Sequence, residues 1–320
     1  METEHSIKIF YNRNQSVTKG ISKSGSRSPE KPKLLLNYLE QKDLLRHFEI
    51  NSDFLPFSED DFLIAHTEEY VDAVFNGKFP LCTSNCLPWS KELVTSLRWT
   101  NASLYNAIRN SILNPEQISF SPTSGFHHAM PRGGSGFCTF SGQVIASVKI
   151  FHEFGKRGAY LDLDGHFGNS IEDSRKFVKD LNDAIPIGFN FNPEGHHGRY
   201  MKDLQFSLGK LGNAIYRGEI DYIVWCHGAD SHEDDDLGSK CTTAEWIECA
   251  RLFYSWVKEV NCELKQPIQV SLSLFGGYRS DNYTSVLALH AADLVMCLNT
   301  LCGREINYTP EVMPRKGKRS

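Results

Sequence analysis

The stretch that decides the reading of this chain is Ala159-Tyr160-Leu161-Asp162-Leu163-Asp164-Gly165-His166. A strand turns alternate side chains to one side, so Asp162, Asp164 and His166 are expected to face the same way. The apolar flanks are those of a buried parallel strand. Two carboxylates and an imidazole buried together are costly unless a cation or strong donors compensate. A divalent metal does so, and Asp oxygen and His nitrogen are both ordinary zinc ligands. Taken alone, D-x-D-x-H fits as well a strand that emerges into solvent with its charges. The surrounding sequence has to decide.

Working outward, strand-like apolar runs occur at Ile7 to Tyr11, Ile118 to Phe120, Ala159 to Asp164, Ile185 to Phe191, Tyr222 to Cys226 and Ile268 to Phe275. Helical patterns lie between them, among others Glu68 to Phe75, Gln143 to Phe154, Ile171 to Leu181, Ala244 to Val260 and Tyr283 to Leu301. Thr242-Thr243-Ala244-Glu245 has the form of a capping box. The alternation predicts an α/β fold: one domain with a central, mostly parallel sheet and helices on both faces. In open parallel sheets ligands collect beyond the carboxyl ends of the strands. His127 and His128, His166, Asp230 and Tyr278 each follow such a run, so they are expected to converge on one crevice. The polar stretch from Asn12 to Lys31 is read as a surface loop.

The bulk properties exclude several classes. With 320 residues, 40% of them hydrophobic and 23% charged, the chain can bury a large core. A net charge of -5 gives no overall nucleic-acid footprint, and the one basic run, Arg315-Lys316-Gly317-Lys318-Arg319, reads as a solvated tail. The start lacks the basic and apolar regions of a secretory signal, and no apolar run approaches a membrane span. The nine cysteines are scattered and odd in number, which favours reduced thiols and a cytoplasmic protein. Cys82 and Cys86 form a C-x3-C without a second pair, and Cys138 and Cys226 are expected to pack as small hydrophobes.

The company of the central strand is specific. Ser124-Gly125-Phe126-His127-His128-Ala129 and Gly136-Phe137-Cys138 precede it. Gly228-Ala229-Asp230, with Asp235 and Leu237-Gly238 behind it, and then Gly276-Gly277-Tyr278 follow. In this order and spacing the set resembles the histone deacetylase and acetylpolyamine amidohydrolase family of the arginase-deacetylase superfamily. The resemblance runs from the first strand and Ser28-Pro29-Glu30-Lys31-Pro32 to about Tyr278. It implies a catalytic domain over residues 1–308, with residues 309–320 as a basic tail.

It also implies roles. Asp164, His166 and Asp230 would hold one catalytic Zn2+, which polarises an amide carbonyl and lowers the pKa of bound water. His128 would be general base and acid, with His127 its electrostatic partner and Asp162 the carboxylate that fixes His127. Asn169 stands where the second histidine's partner belongs, a place filled by Asp in some relatives and Asn in others. Tyr278 matches the tyrosine that supports the oxyanion. Gly136 and Phe137 match one wall of the acyl-lysine tunnel. Asn192-Pro193-Glu194-Gly195-His196-His197-Gly198 should supply the opposite wall, with His196 the candidate, although relatives show aromatic residues there. Phe167 replaces the second histidine that many relatives carry. A structural K+ held by Asp162 and carbonyls of its own strand end is a further family feature. The short Ser-Gly-Phe-His-His and Gly-Gly-Tyr motifs, with the Arg132-Gly133-Gly134 insert, look closest to the class IV branch, with which fatty-acyl removal is associated.

The expected substrate is an acylated protein or a small-molecule amide. In polyamine-selective relatives a glutamate stands seven residues after the downstream metal-binding Asp, and here that place is Leu237. An arginase-type hydrolase with two metals is disfavoured, because Gly168 and His232 occupy places where its second ion needs carboxylates. A silent relative that only binds acyl-lysine would be expected to lack a ligand or the tyrosine, and this chain lacks neither.

Overall fold

Tyr222-Ile223-Val224-Trp225-Cys226 is buried at every position, as a strand covered on both faces must be. It sits inside a sheet of seven strands, all pairings of which are parallel. The computed structural model describes residues 6–17 and 26–315. The strands are β1 (Ile7–Phe10), β2 (Phe48–Asn51), β3 (Ser119–Ser121), β4 (Gly158–Asp162), β5 (Asn190–Phe191), β6 (Tyr222–Cys226) and β7 (Gln269–Ser273). Their spatial order is β2-β1-β3-β7-β6-β4-β5. The helices are α1 (Lys31–Gln41), α2 (Glu59–Phe62), α3 (Glu68–Asn76), α4 (Lys91–Leu113), α5 (Gly142–Phe154), α6 (Ser170–Ser174), α7 (Leu181–Ala184), α8 (Gly198–Tyr216), α9 (Thr243–Glu263) and α10 (Tyr283–Leu301).

The alternation of side chains along the strands splits the core in two. Leu161, Ile223, Trp225 and Leu272 pack with α1, α8, α9 and α10 on one face. Tyr160, Tyr222, Val224 and Cys226 pack with α3, α4 and α5 on the other. Chain order then positions the site. From β3 the chain steps past two strands to β4, so the carboxyl ends of β3, β7, β6 and β4 lie side by side. Those are the ends after which the histidine pair, Tyr278, Asp230 and the Asp164/His166 turn follow, at the switch point where ligands collect.

Several expectations need correction. The strand expected over Ile185 to Phe191 is only Asn190–Phe191. Pro186 has no N–H to donate, its carbonyl accepts from Phe189 N in a turn, and Gly188 has φ +85°. The helix expected over Ile171 to Leu181 is two short ones, α6 and α7, stitched by the Arg175 guanidinium to Asn182 and to the Ile185 carbonyl. The described part of the Asn12–Lys31 stretch is no surface loop, since Gln15, Ser26, Ser28 and Lys31 are buried. Several of its polar groups bond internally: Asn12 and Gln15 form a capping box, and Ser16 Oγ accepts from Lys33 N. Helix α10 is long and apolar enough to cross a membrane, contrary to the reading of the sequence, but it is a buried core helix. The capping box at Thr242 is present, with Glu245 as its partner. Cys138 and Cys226 pack in the interior, while Cys82 is buried and Cys86 exposed. Of the basic run, residues 316–320 lie outside the described residues; Arg315 pairs with Asp236.

Candidate active site

The strand pattern of Asp162, Asp164 and His166 ends earlier than expected, and the reason lies in the aspartates. β4 stops at Asp162. The Asp162 carboxylate accepts from Asp164 N (3.2 Å), and the Asp164 carboxylate accepts from His166 N (2.9 Å). Each Asp thus bonds to the backbone two residues on, which bends the chain out of the sheet. Asp164 and His166 therefore sit in a tight loop, and alternation along a strand is not what aligns them.

The loop is clamped against β6 and β7. Gly165 N donates to Asp230 Oδ1 (2.9 Å), and Gly276 N donates to Asp164 Oδ2 (2.8 Å). A Cβ on Gly276 would lie 2.3 Å from the Asp230 carboxyl carbon, so only glycine allows this approach. His166 Nδ1 lies 2.9 Å from Asp230 Oδ2 and 3.1 Å from Asp164 Oδ1. His166 Nε2–H donates to the Leu237 carbonyl at 3.1 Å. That bond turns Nδ1 towards the two carboxylates, the orientation a metal-binding imidazole needs.

One ligand atom from each of Asp164, His166 and Asp230 lies within 4.8 Å of the others. The charge balance of this trio suits a cation. Burial, with the Asp164 carboxylate beside it, pushes Asp230 up to about 8. Hydrogen bonds to Asp164 and Asp230 hold His166 up at about 10. Crowded, buried carboxylates thus favour protons on both groups. A divalent cation would take the place of those protons, and two carboxylates with one imidazole form an ordinary donor set for zinc.

The histidine pair flanks the trio. His127 Nδ1–H donates to Asp162 Oδ2 (2.9 Å), and its Nε2 lies 3.6 Å from Asp164 Oδ1. His128 Nδ1–H donates to Asn169 Oδ1 (2.8 Å), and Asn169 Nδ2 donates to Asp173 Oδ2 (2.5 Å). The two imidazoles stand 4.0 Å apart at 45°. Burial opposes a charge on His127, yet Asp164 and Asp162 hold it up at about 9. Burial, with His127 beside it, pushes His128 down to about 4.

Tyr278 lies across from the pair, its ring 6.3 Å from that of His166 and 5.5 Å from that of Phe137. Burial, with Asp164 and Asp230 nearby, raises its phenol well above the ordinary value, so the hydroxyl is a donor. Gly136 has φ +49°, and a Cβ there would come 2.6 Å from the His128 ring. Phe137 is thereby carried past His128 to face Tyr278.

Of the other expected substrate residues, Leu237 offers its carbonyl to His166 while its side chain is 51% exposed. His196 is exposed, and among the described residues no ring contact joins it to Phe137 or Tyr278. The loop that carries it is committed elsewhere: His197 N donates to the Lys240 carbonyl, and its ring pairs with Glu245.

Two residues whose roles the sequence hid stand out. Asp235 is buried and accepts from Tyr278 N (2.7 Å) with one oxygen and from Leu237 N (3.0 Å) with the other, so it joins the tyrosine turn to the loop behind Asp230. Lys31 is fully buried and donates from Nζ to the Phe275 carbonyl. Burial lowers it to about 8 against the pull of Asp230, Asp164 and Asp235, so it is an internal cation for the site's carboxylates. Both were visible only as letters within motifs, because their partners are remote in sequence.

Comparison with known proteins gives a consistent picture. Residues 26–182 match the histone deacetylase domain, about half of the chain, reaching past Asn169 but short of Asp230 and Tyr278. The chain is 29% identical over 103 residues to probable histone deacetylase 1-B of Xenopus laevis, covering 32% of this chain and 18% of that protein. It is 23% identical over 274 residues to histone deacetylase 10, chloroplastic, of Oryza sativa subsp. japonica, covering 74% of this chain and 60% of that one. The match therefore spans less than two-thirds of the length of either relative. The crystal structure of the HDA15 HD domain superposes with a TM-score of 0.71 at 16% identity, over 97% of this chain and 91% of that one. This likeness shows the fold, which is that of the arginase-deacetylase superfamily. These matches and the shared fold together support the histone deacetylase family for this chain.

Proposed function

We propose that this protein is a metal-dependent amidohydrolase that removes acetyl or longer acyl groups from lysine side chains. The observation that carries the reading is the convergence of Asp164, His166 and Asp230, within 4.8 Å, beside two imidazoles and a tyrosine from other strand ends. Zinc held by these three residues would supply Lewis acidity towards the amide carbonyl and its attacking water.

The other steps belong to the chain's own side chains. His128, neutral and with Nδ1–H committed to Asn169, presents Nε2 as the base that takes the water's proton and returns it to the leaving amine. His127, held positive between Asp162 and Asp164, stabilises negative charge as it develops. The Tyr278 hydroxyl donates to the carbonyl oxygen as that oxygen becomes an oxyanion. Phe137 and Tyr278, with rings 5.5 Å apart, offer apolar surface to the aliphatic stem of an acylated lysine.

Two facts weigh against a second metal of the arginase kind. A Cβ at Gly168 would fall 2.3 Å from Asp162 Oδ2, leaving no room for a carboxylate there. His232 is buried, with Nε2 2.7 Å from Thr243 Oγ1. The deciding experiment is a hydrolysis panel of acyl-lysine peptides of increasing chain length with acetylpolyamines alongside, on zinc-loaded protein and after chelation. Turnover of acyl-lysine that disappears with the metal is expected. Hydrolysis of none of these amides would overturn the reading, and outright preference for a polyamine would replace the substrate while keeping the chemistry.

A further inference from the structure

Asn169 is the residue before the first turn of α6, a place where Asn commonly caps a helix. Here its side chain caps nothing. Its carbonyl oxygen accepts from His128 Nδ1, and its amide nitrogen donates to Asp173 four residues on. An amide is chemically ambiguous, because rotation by half a turn exchanges oxygen and nitrogen at nearly the same positions. In the rotated state the NH2 group would face His128 Nδ1. The imidazole would then have to present a lone pair there and carry its proton on Nε2, and it could not accept a proton from water. A carboxylate can only accept, so Asp173 admits one orientation of the amide.

We propose that Asp173 is a positioning residue that selects the tautomer of His128 by fixing the orientation of Asn169. The inference rests on the hydrolase reading for its kinetic consequence alone. Its logic sets the two histidines apart: Asp162 touches His127 directly and needs no helper, whereas the neutral Asn169 does. The competing account is that Asp173 merely braces one turn of α6 through an i, i+4 side-chain pair.

The two accounts part when residue 169 is changed. With Asn169→Asp the group facing His128 accepts in either orientation, so Asp173 becomes superfluous and adds a second nearby negative charge. Four zinc-loaded proteins decide the matter: wild type, Asp173→Asn, Asn169→Asp and the double variant. Asp173→Asn keeps the shape and the capacity for hydrogen bonding, so folding and zinc content should be unchanged, but an amide cannot hold its neighbour to one orientation. We expect it to lower kcat roughly tenfold with KM unchanged in the wild-type background. In the Asn169→Asp background it should be neutral or favourable. An equal loss in both backgrounds, or none in the first, overturns the proposal. A readout independent of turnover is the 15N chemical shift of the His128 ring. Nδ1 should be the protonated nitrogen in the wild type, with a mixture of tautomers in Asp173→Asn. A wild-type ring protonated at Nε2 would overturn the inference even in a protein that hydrolyses nothing.

Discussion

His127 and His128 are neighbours in sequence and their rings are 4.0 Å apart, yet they occupy opposite electrostatic environments. His127 is buried, bonded to a full carboxylate and close to a second, and is held up at about 9. His128 is half-buried, bonded to a neutral amide and set beside His127, and burial with that neighbour pushes it down to about 4. On the proposed mechanism, environment more than residue type divides the work of two identical side chains: one would keep a charge and the other a lone pair.

The comparison breaks most completely if no cation belongs between the pair and β6. Asp230→Ala leaves only two ligands, which cannot hold a catalytic ion tightly, so stoichiometric zinc and all amidase activity should be lost. Elemental analysis showing undiminished zinc in the purified variant would remove Asp230 from the site. Next comes the pair itself. His128→Ala should abolish turnover and leave binding of an unreactive acyl-lysine analogue largely intact, because proton transfer contributes only along the reaction coordinate. His127→Ala should impair less, since it removes a charge and not the base. If His127 proves the more damaging loss, the roles are reversed.

Tyr278→Phe sharpens the same division from the other side of the site. It retains the ring that faces Phe137 and the backbone bond to Asp235, and removes only the hydroxyl proposed to support the oxyanion. The expected loss is on the order of 100- to 1,000-fold in kcat with zinc retained. A variant with near-normal kcat would make the hydroxyl a packing detail.

How much of this the sequence discloses depends on where the partners of a residue lie. The strands β4, β6 and β7 were legible because apolar runs bounded by polar turns need no knowledge of tertiary contacts. The ends of β4 and the shortness of β5 were not, because a side chain bonding its own backbone at Asp162 and a turn at Pro186 override hydrophobicity. β2 carries Glu49 and Asn51 at a sheet edge, so it lacks the apolar run that marks a strand. Within the site, the residues that meet at the strand ends were readable through their motifs. Lys31 and Asp235 were not, since each acts on a group that only the fold brings near, and the local Asn169–Asp173 pair gains a meaning only once His128 is placed against it. His196, expected by analogy in the opposite wall, is exposed, and its place there rests on the resemblance alone.

The smallest expected effect lies at the rim. Leu237 gives its backbone carbonyl to His166, so its side chain is anchored beside the metal trio while remaining half exposed. Replacing it by glutamate leaves that carbonyl in place and adds one negative charge at the mouth. Such a charge attracts the secondary ammonium of an acetylpolyamine and does little for an acyl-lysine peptide with neutral flanks. Because the position is open to water, the gain should be limited to about two- to fivefold in the ratio of kcat/KM values, the range of an exposed ion pair. Salt should erase it, because screening acts fully on exposed charges. Asp234 and Asp236 already stand near, and Asp236 is occupied by Ser280 and Arg315, which leaves the added glutamate a distinct effect. The wild type is expected to favour the peptide and Leu237→Glu to narrow that preference at low ionic strength. A ratio that does not move would mean that substrate charge is read elsewhere on the rim, and that the exposed side of Leu237 faces away from the path by which substrate enters.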